Sequence, residues 1–476
     1  MTISSILTPL VILPAILLGG VSEENIQDVN PEARQFEIPD FENQYTIEEF
    51  LDYVEEVEIS SFEPLSIYRV KSKEEFEKMR EYILGYYKGV ESKHSFFLEE
   101  GVKYDCVTVE SQPGLTMNDL SSADLLTEPE GIDIDSYIKD SENTEGEVVL
   151  EVNALALRED NVDSNGLQMY CEAGTFPMQR VTLTYLVQFE SFDDAFNKYP
   201  NYGEEFDIDD VDPTAIGDGY EHEYAFATND YDSDEDDHEG RGIFAYFNIQ
   251  NPFVHHWYEF SLSQLWAYSD GSDGFESIEM GWHVAPYMHW GSYETRLFIF
   301  SFRDGSDCYN TMCGAFVQTN SSIPLGAKYA DTSRAGGAQY TSLYWIMQDT
   351  SNNWWVFLDD DAIGYYPASS YDNGPAGIKD GAATFDAGGE ISDAHPGSRH
   401  TRTDMGSGYW PSSGFRYAAY VRNITYVTDS WDLSYGTSVS GWSSDPQCYG
   451  QNVFAPSGSW GNHVFFGGSG RNSNCQ

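Results

Sequence analysis

The second half of the chain alternates apolar and polar residues in short segments, which Gly, Asp, Asn and Ser separate. Alternation with a period of two, interrupted by turn residues, is typical of half-buried antiparallel strands. Helical periodicity nearly disappears after residue 240. The pattern predicts strands at 242–249, 256–268, 277–284, 295–302, 315–319, 339–347, 354–358, 362–366, 383–391, 399–405, 416–427 and 463–466. Short strands in this number indicate an antiparallel β-sandwich or barrel.

One of these strands, at 277–284, carries a carboxylate among small and polar residues. Successive side chains of a strand point to opposite faces. Glu279 is therefore predicted to share a face with Gly281 and His283, opposite the face that holds Trp282. A carboxylate in such a row is a candidate catalytic residue.

The first half of the chain predicts two helices. Capping boxes begin at Thr46 and at Ser72, and Gly89 can end the second helix. Strand-like segments follow near Cys106 and at 181–189. This half is therefore predicted to mix helix and sheet. One face of the second helix is apolar and holds Phe76, Met79, Ile83 and Tyr86.

Charge changes the picture, because the 476-residue chain has a formal net charge of −55. Nucleic-acid binding needs a basic patch, and none is visible, so nucleic acids are excluded as partners and anionic membranes are disfavoured. A large acidic excess suits a protein that works at low pH, where most carboxylates are protonated. The alternative is that the acidic residues only solvate the surface.

An apolar run at residues 6–18 contains Pro9 and Pro14 and is followed by two glycines and polar residues. The run is too short for a membrane span. It predicts a secretory signal peptide over residues 1–20, although a basic n-region is missing. A short N-terminal anchor or a buried strand is the alternative. No later stretch of the sequence is long and apolar enough to span a membrane.

Two acidic runs, at 207–212 and 230–239, contain few apolar residues. Such runs most often form solvated linkers, where proteolysis can separate domains. They predict a boundary between an acidic domain with its linker over 21–218 and an all-β domain over 219–476. A calcium loop at 230–239 is an alternative, but Glu235 stands where an EF-hand loop needs Gly.

The cysteines and two sequons agree with export. An even number of cysteines in an exported chain indicates disulfides. Without any Cys-x-x-Cys spacing, a zinc site is disfavoured. The six fall into three neighbourhoods: Cys106 and Cys171, Cys308 and Cys313, and Cys448 and Cys475. The second pair could close a small loop, and the third could tie down the C-terminus. Asn320 and Asn423 begin acceptor sequons for N-glycosylation.

Common catalytic motifs are missing from the sequence. It contains no G-x-S-x-G, no H-E-x-x-H, no P-loop and no dinucleotide fingerprint, and the histidines lack metal-ligand spacing. Carboxylates in Gly-rich strands remain. Gly388 and Gly389 precede Glu390 and would let a substrate backbone approach closely. Glu279 and Glu390 either face one groove or are ordinary solvent-facing strand residues, with the two glycines forming a bulge.

A resemblance to a known family decides between these alternatives. Over residues 221–475 the chain resembles the neprosin family of glutamic peptidases, of the prolyl endopeptidase type. The segments at 105–115 and 171–180 resemble the activation-peptide region of that family. The resemblance is carried, in order, by EFSLSQLWAY, IEMGWHV, TRLFIF, CYNTMCGAFVQTN, NWWVF, IGYYPASSY, AGGEI, HTRTDMGSG and GRNSNC.

The resemblance implies a secreted zymogen in which an activation domain over 21–218 precedes a catalytic sandwich of two antiparallel sheets over 219–476. The family's catalytic glutamates fall on Glu279 and Glu390. Its catalytic-domain disulfides fall on Cys308–Cys313 and Cys448–Cys475. Members are acid-active endopeptidases that need no cofactor or metal, and the best-known type cleaves after proline. The expected location is extracellular or an acidic vacuole.

Peptide hydrolysis by two carboxyl groups requires a base for water and a group that stabilises the oxyanion. We expect ionised Glu390 to activate the water and protonated Glu279 to donate a hydrogen bond to the oxyanion. Gln264 could add a polar contact. Four aromatic residues are candidate walls of a substrate site, and each is at least as consistent with a place in the core: Trp282, Trp290, Tyr365 and Tyr366.

The expected partners are protein or peptide substrates, and the chain's own prosegment acting as an intramolecular inhibitor of a monomer. A glycoside hydrolase is the main alternative, since two carboxylates beside aromatic residues on a β-sandwich also describe many such enzymes. A non-catalytic carbohydrate-binding protein, in which the aromatic residues stack on sugars, is the second alternative.

Overall fold

A computed structural model describes residues 42–99, 101–132, 150–151, 161–196, 198, 221–230, 240–271, 274–303, 305–372, 377–394, 399–434, 439–456 and 458–476. The predicted signal peptide at 1–20, the acidic run at 207–212 and most of the run at 230–239 lie outside these residues. Within them, a mixed region of helices and sheet precedes residue 199, and two large sheets follow residue 220.

Both helices predicted from capping boxes are confirmed. Thr46 Oγ1 accepts a hydrogen bond from the Glu49 backbone at 3.3 Å, and the Glu49 carboxylate accepts one from the Thr46 backbone at 2.9 Å. Ser72 Oγ accepts from the Glu75 backbone at 3.2 Å. The helices are α1 (Ile47–Glu56), α2 (Lys73–Tyr86), α3 (Pro113–Thr116) and α4 (Leu183–Leu186). Short 3-10 helices occur at Glu42–Gln44, Ile59–Ser61, Val109–Ser111, Asp193–Ala195, Pro286–Met288, Ala368–Ser370, Pro411–Ser413 and Gly458–Trp460.

A small antiparallel sheet accompanies these helices, in the order β1 (Ser92–Glu99), β2 (Val102–Thr108) and β4 (Thr175–Gln179). The strand expected near Cys106 is confirmed as β2. The strand expected at 181–189 is wrong, because Thr182 Oγ1 accepts a hydrogen bond from the Tyr185 backbone at 3.0 Å and begins α4 instead. The strands of this region are β1 (Ser92–Glu99), β2 (Val102–Thr108), β3 (Leu150–Glu151) and β4 (Thr175–Gln179).

Two stacked sheets form the β-sandwich, as the alternation predicts. The first is a seven-stranded antiparallel sheet, in the order β10 (Ser306–Tyr309), β9 (Arg296–Arg303), β8 (Gly274–Val284), β7 (Ser261–Gly271), β15 (Thr384–Asp393), β5 (Glu221–Asp230) and β18 (Ser440–Ser443). The second has the order β11 (Val317–Gln318), β14 (Asp361–Tyr366), β13 (Trp354–Leu358), β12 (Tyr340–Gln348), β6 (Gly242–Asn248), β16 (Ala419–Val427), β20 (His463–Gly467) and β19 (Gly450–Phe454). At its sides, β17 (Leu433–Ser434) pairs with β16, and β3 pairs in parallel with β12.

Alternation along each strand decides which side chains enter the core between the sheets. Ile278, Met280 and Trp282 point into this core and are fully buried. Each large apolar side chain buried in this way stabilises the fold by about 1.5–3 kcal/mol. Trp282 Nε1 also donates to the Asn248 carbonyl of the opposite sheet at 3.1 Å. Glu279 therefore lies on the other face of the seven-stranded sheet, which we call the outer face.

Most predicted strands are confirmed, but the one at 399–405 is wrong. The Thr401 and Thr403 hydroxyls both donate to the Glu259 carboxylate, and Met405 alone makes an isolated bridge, to Gly468. Side-chain hydrogen bonds of this kind compete with a strand ladder. Within the described part of residues 219–476, five strands were not predicted from the sequence: β5, β10, β17, β18 and β19.

The N-terminal region packs on the outer face. One apolar cluster contains α1 and α2 residues together with Trp266, Phe298 and Phe300 of the seven-stranded sheet. Hydrogen bonds reinforce the contact, including one from the Tyr104 hydroxyl to the Leu325 carbonyl at 2.8 Å. The N-terminal region therefore covers the face that carries Glu279.

All six cysteines form disulfides, as the even count predicts. The pairs are Cys106–Cys171, Cys308–Cys313 and Cys448–Cys475. The first pair, which the sequence left open, closes the longest loop and therefore constrains the unfolded chain most.

Two other predictions concern membrane spans and glycosylation. None of the helices in the described ranges has the length and apolar character that a membrane crossing needs. Asn320 and Asn423 are both half-buried, and Asn320 Nδ2 donates to the Ala362 carbonyl at 3.1 Å. Glycosylation at these two residues stays a prediction.

Candidate active site

Three adjacent strands bring Gln264, Glu279 and Glu390 together on the outer face. Gln264 lies on the central strand β7, between Glu279 on β8 and Glu390 on β15. Glycine is required opposite Gln264, because a Cβ atom at Gly281 would lie 2.5 Å from the Gln264 Cβ. The Gly-rich character of these strands therefore makes room for the glutamine between the two carboxylates.

A single amide group links the two carboxylates. Gln264 Nε2 donates to Glu279 Oε2 at 2.7 Å and lies 3.3 Å from Glu390 Oε2. The second oxygen of Glu279 accepts a hydrogen bond from the Ser277 hydroxyl at 3.0 Å. Both glutamates are buried, and Glu390 is fully so. The structure thus places the two predicted glutamates in one small polar pocket, with Gln264 inside it.

A lysine from the N-terminal region fills this pocket. Lys198 Nζ lies 2.8 Å from Glu279 Oε2 and 3.0 Å from Glu390 Oε2. Its backbone N–H donates to Asp307 Oδ2 at 2.7 Å, and its ammonium lies 5.2 Å from the centre of the Phe300 ring. One buried cation therefore bridges the two carboxylates, and no sequence pattern marked it.

A histidine binds Glu390. His222 Nδ1 donates to Glu390 Oε1 at 2.5 Å, and the Tyr224 hydroxyl lies 3.5 Å from the same nitrogen. The imidazole packs edge-on against the Phe260 ring, with 5.1 Å between ring centres. This histidine lies on β5, which the sequence reading did not recognise as a strand.

Opposing effects set the protonation of this site. Burial alone would raise the pKa of Glu390, but the Lys198 ammonium and the His222 imidazole outweigh it and hold that pKa below its usual range. Burial lowers the pKa of His222, although Glu390 acts in the opposite direction. Burial raises the pKa of Asp307, despite its hydrogen bond from the Lys198 backbone.

Three of the predicted aromatic walls lie elsewhere. Trp282 is on the inner face of β8, because it alternates with Glu279. Tyr365 and Tyr366 belong to β14 in the other sheet. Tyr366 points into the core between the sheets, and Tyr365 lies on the far side, where its hydroxyl accepts a hydrogen bond from the Leu126 backbone at 3.3 Å.

The fourth predicted wall, Trp290, lies at the boundary with the N-terminal region. Its ring packs edge-on against Tyr185, with 5.8 Å between ring centres. Its backbone has a positive φ of 56°, a left-handed conformation that is unusual for a bulky residue. Trp290 is therefore held in place by the N-terminal region, and its role as a substrate wall stays a prediction.

Another group of aromatic residues lies on the outer face beside Glu390. Tyr224 and Phe226 on β5, Trp266 on β7 and Trp442 on β18 pack together, with ring centres 5.4–6.5 Å apart. We call these four the aromatic patch. Trp442 is 49% exposed, so the patch is open to solvent at one end. The alternating residues around 222–227 were the available signal for this patch.

Candidate metal ligands occur away from the pocket. Among the described residues, two groups that contain histidine and carboxylate could share an ion: His255, His256 and Glu259, and Glu223, Asp393 and His400. In the second group, burial acts against protonation of His400, but His400 Nε2 donates to Glu223 Oε1 at 2.6 Å and this hydrogen bond raises the pKa of His400 to about 9. The imidazole is therefore protonated and has no free lone pair for an ion, so this group is an ion pair and not a metal site. Neither group includes Glu279 or Glu390.

Comparison with known proteins agrees with the sequence resemblance. Residues 258–469 match the family model described as Neprosin, which confirms the resemblance for this segment. The chain is also similar to the solved structure of scytalido-glutamic peptidase with a peptide-based transition state analog, at 9% identity and a TM-score of 0.25, with 52% of this chain and 99% of that chain covered.

Two further solved structures are similar to this chain at lower TM-scores. SCP-B, a member of the Eqolisin family of peptidases, is 8% identical, with a TM-score of 0.24 and coverage of 52% of this chain and 99% of that chain. A beta-porphyranase from Bacteroides plebeius is 7% identical, with a TM-score of 0.18 and coverage of 37% and 66%. These TM-scores are too low for the structural likeness to support a function.

Proposed function

From the Neprosin domain at residues 258–469, we propose that this chain is a secreted, acid-active glutamic endopeptidase made as a zymogen. One observation carries the proposal: Glu279 Oε2 and Glu390 Oε2 both bind the Gln264 amide and the Lys198 ammonium. Two carboxyl groups that share one buried polar pocket can hold different protonation states and divide acid and base work.

The surroundings of the two glutamates favour opposite roles. Glu390 has the His222 imidazole on one oxygen, which favours its ionised form, whereas Glu279 has the neutral Ser277 hydroxyl. In the proposed reaction, Glu390 removes a proton from a water molecule as that water attacks the scissile carbonyl carbon. Protonated Glu279 donates a hydrogen bond to the carbonyl oxygen as negative charge develops there. Glu390 then passes its proton to the leaving amine as the C–N bond breaks.

Lys198 supports the proposal that the chain's own prosegment inhibits the enzyme. Its ammonium occupies the space between the two carboxylates where the water and the scissile carbonyl would bind. In this scheme, residues 21–218 form the prosegment, and residues 219–476 form the catalytic domain. Cleavage between them would allow the lysine to leave, and the mature enzyme would be a monomer.

Acid pH would weaken the hold of the prosegment on the pocket. Carboxylates bind Lys198 at two points: Glu279 and Glu390 at its ammonium, and Asp307 at its backbone N–H. Because burial raises the pKa of Asp307, this carboxylate becomes neutral earlier on acidification than an exposed aspartate does. Protonation of Asp307 weakens the hold on the Lys198 backbone, whereas Glu390, whose pKa is held below its usual range, stays ionised as the base.

The substrates would be proteins or peptides that present apolar side chains. The aromatic patch beside Glu390 offers a surface on which such side chains can stack. Cleavage after proline is part of the proposal through the family resemblance alone. Secretion rests on the predicted signal peptide at 1–20 and on the three disulfides, and the location would be extracellular or an acidic vacuole.

A pair of substitutions tests the function. Acid-treated Glu279→Gln and Glu390→Gln variants should each lose at least about 100-fold in kcat on a proline-containing protein, because each removes one proton-transfer or charge-stabilising group. Glu294→Gln, which changes an exposed glutamate, is the matched control. Wild-type activity in either site variant would refute the assignment.

An assay panel separates the proposal from its alternatives. The same acid-treated protein is incubated with a folded protein substrate and with a set of polysaccharides, and the products are mapped by mass spectrometry. Cleaved peptide bonds without shortened polysaccharides are the expected result. Shortened polysaccharides without peptide cleavage would identify a glycoside hydrolase instead, and neither product would indicate a non-catalytic binding protein.

A further inference from the structure

His222 and Glu390 are held against each other by neighbouring strands. In the pairing of β5 with β15, Tyr224 lies opposite Glu390 and His222 lies opposite Ser392, so both site residues point to the outer face. His222 Nδ1 donates to Glu390 Oε1, whereas Glu390 Oε2 faces Lys198 and Gln264. The two oxygens of this carboxylate therefore have different partners.

This arrangement makes the pair of glutamates asymmetric. The oxygen that Glu390 directs toward Glu279 is free of the imidazole, and the other oxygen is fixed by it. Among the described residues, the polar contacts of Glu279 come from Ser277, Gln264 and Lys198, and none comes from a histidine. After the lysine has gone, Glu390 therefore keeps an imidazole as a partner, whereas Glu279 keeps only neutral partners among the described residues.

The imidazole belongs to the sandwich and not to the N-terminal region. β5 pairs with β15 along its whole length and with β18 on its other edge. A cut anywhere between Lys198 and His222 therefore separates the lysine from the histidine. His222 is also buried against the Phe260 ring, which limits its rotation.

We propose that His222 is a positioning residue: it orients Glu390 as the base and replaces Lys198 as the positive partner of that carboxylate in the mature enzyme. The inference rests on the proposed function and goes beyond it, because it assigns the division of labour between the two glutamates to a third residue. In the zymogen, the lysine and the imidazole contact Glu390 together. In the mature enzyme, the imidazole alone remains.

The charges around the imidazole agree with this exchange. Burial lowers the pKa of His222, and the nearby Lys198 ammonium lowers it further, whereas Glu390 and Glu279 raise it. Departure of the ammonium removes one of the lowering effects, so the imidazole takes up a proton more readily. The titratable groups that face this site are Glu390, Glu279, Asp307, Lys198, Tyr224, Tyr287 and Tyr309. The phenols stay neutral throughout the acid range.

The pH profile of the mature enzyme tests the role of His222. The His222→Ala and His222→Asn variants are activated, their first residue is determined by N-terminal sequencing, and kcat and KM are measured on a peptide substrate between pH 2 and 6. We expect His222→Ala to lower kcat about 10–100-fold with little change in KM. In the plot of kcat against pH, the fall in activity on the acid side (the acid limb) should shift to a pH about one unit higher, because Glu390 loses a positive partner.

The asparagine variant separates orientation from charge. Its amide can donate one hydrogen bond to Glu390 but carries no charge, so kcat should recover in part while the acid limb stays displaced. His463→Ala, which removes a buried histidine from the other sheet, should leave the profile unchanged. If His222→Ala does not fold, the position of the acid limb in His222→Asn alone tests the role of His222.

Failure of this inference is distinguishable from failure of the proposed function. If Glu390→Gln is inactive but both His222 variants keep the wild-type acid limb, His222 has no role in setting the base, and only the inference falls. A mature N-terminus that begins after residue 222 would also overturn it. If Glu390→Gln is active, the proposed function itself is wrong.

Discussion

Lys198 and Glu279 form a buried ion pair, 2.8 Å long, between the N-terminal region and the β-sandwich. The same ammonium lies 3.0 Å from Glu390. A charge buried in this way is stable only while its partners are ionised, because an unpaired buried charge costs several kcal/mol. The link between the two regions therefore depends on the protonation of the two carboxylates on which the proposed chemistry depends.

Replacing the lysine should make the intact chain active before any cleavage. Lys198→Met keeps the length of the side chain but removes the charge that holds the two carboxylates. We expect detectable peptidase activity in the uncleaved variant at acid pH, where the proposed prosegment inhibition should keep the uncleaved wild-type chain silent. Activity is measured within minutes of acidification, and gel electrophoresis confirms that the chain is uncut. Lys71→Met, which changes an exposed lysine, is the control and should stay silent.

The anchor of the Lys198 backbone should set the pH of activation. Burial raises the pKa of Asp307, so acidification makes this residue neutral early. Asp307→Asn imitates the neutral form, and the variant should therefore activate at a higher pH than the wild type. The pH at which half of the chain is processed in a fixed time measures the effect. An unchanged midpoint, equal to that of the exposed-residue control Asp331→Asn, would contradict this role.

Alternation along single strands was enough to predict part of this site. It placed Glu279 and Trp282 on opposite faces of one strand, because the side-chain period of a strand is fixed. It could not show which strands are neighbours. Glu279 and Glu390 come together only because β7 pairs with β8 on one side and with β15 on the other, and the family resemblance supplied that pairing indirectly.

The groups that sequence reasoning missed lie where local patterns carry little information. His222 is in β5, whose alternation is masked by the acidic residues around it, and Lys198 itself lies outside the helices and strands. The structure places Tyr365 and Tyr366 on β14 of the other sheet, away from Glu279 and Glu390, because membership of a sheet depends on long-range pairing. Local periodicity assigns faces, and tertiary pairing assigns neighbours.

A buried carboxyl group should make the sandwich more stable in acid. Burial raises the pKa of Glu259 to about 8, and Asp393 adds to this, although the Thr403 and Thr401 hydroxyls oppose it. The stabilisation is complete below the unfolded value of 4.5 and is lost as the pH rises toward about 8. In that window, the free energy of unfolding should fall by up to about 1.4 kcal/mol per pH unit from this group.

The measurement for Glu259 is urea unfolding at several pH values between 4 and 8. Glu259→Gln cannot ionise, so the slope of the free energy of unfolding against pH should become flatter in this variant. The absolute stability of the variant at pH 4 is not the readout, since the amide alters the hydrogen bonds to the threonines. Glu294→Gln serves as the exposed control, and a wild-type slope in Glu259→Gln would contradict the prediction.

Two buried histidines should make the protein less stable as the pH falls, which is opposite to the effect of Glu259. His283 Nε2 and His289 Nε2 lie 2.9 Å apart, and burial lowers the pKa of His283 to about 3 and that of His289 well below its usual range. The stabilisation from the neutral pair is complete above 6.5 and is lost as the pH falls toward about 3. His283→Gln should therefore reduce the loss of stability between pH 6 and 3, as measured by the unfolding temperature at each pH. His94→Gln changes a more exposed histidine and should leave the loss of stability between pH 6 and 3 as it is in the wild type.

The open end of the aromatic patch should contribute to substrate binding. Trp442 is 49% exposed and packs on Phe226, so Trp442→Ala removes a stacking surface without opening a core cavity. An aromatic contact contributes about 0.5–1.5 kcal/mol beyond area burial, which corresponds to a rise in KM of about 2–13-fold. We expect this rise for peptides with apolar residues near the cleaved bond, with kcat nearly unchanged. The control is Trp410→Ala, which removes a comparably exposed tryptophan that packs over Gly450. The KM of this control should equal that of the wild type. An equal rise in KM in both variants would show that the aromatic patch does not bind substrate.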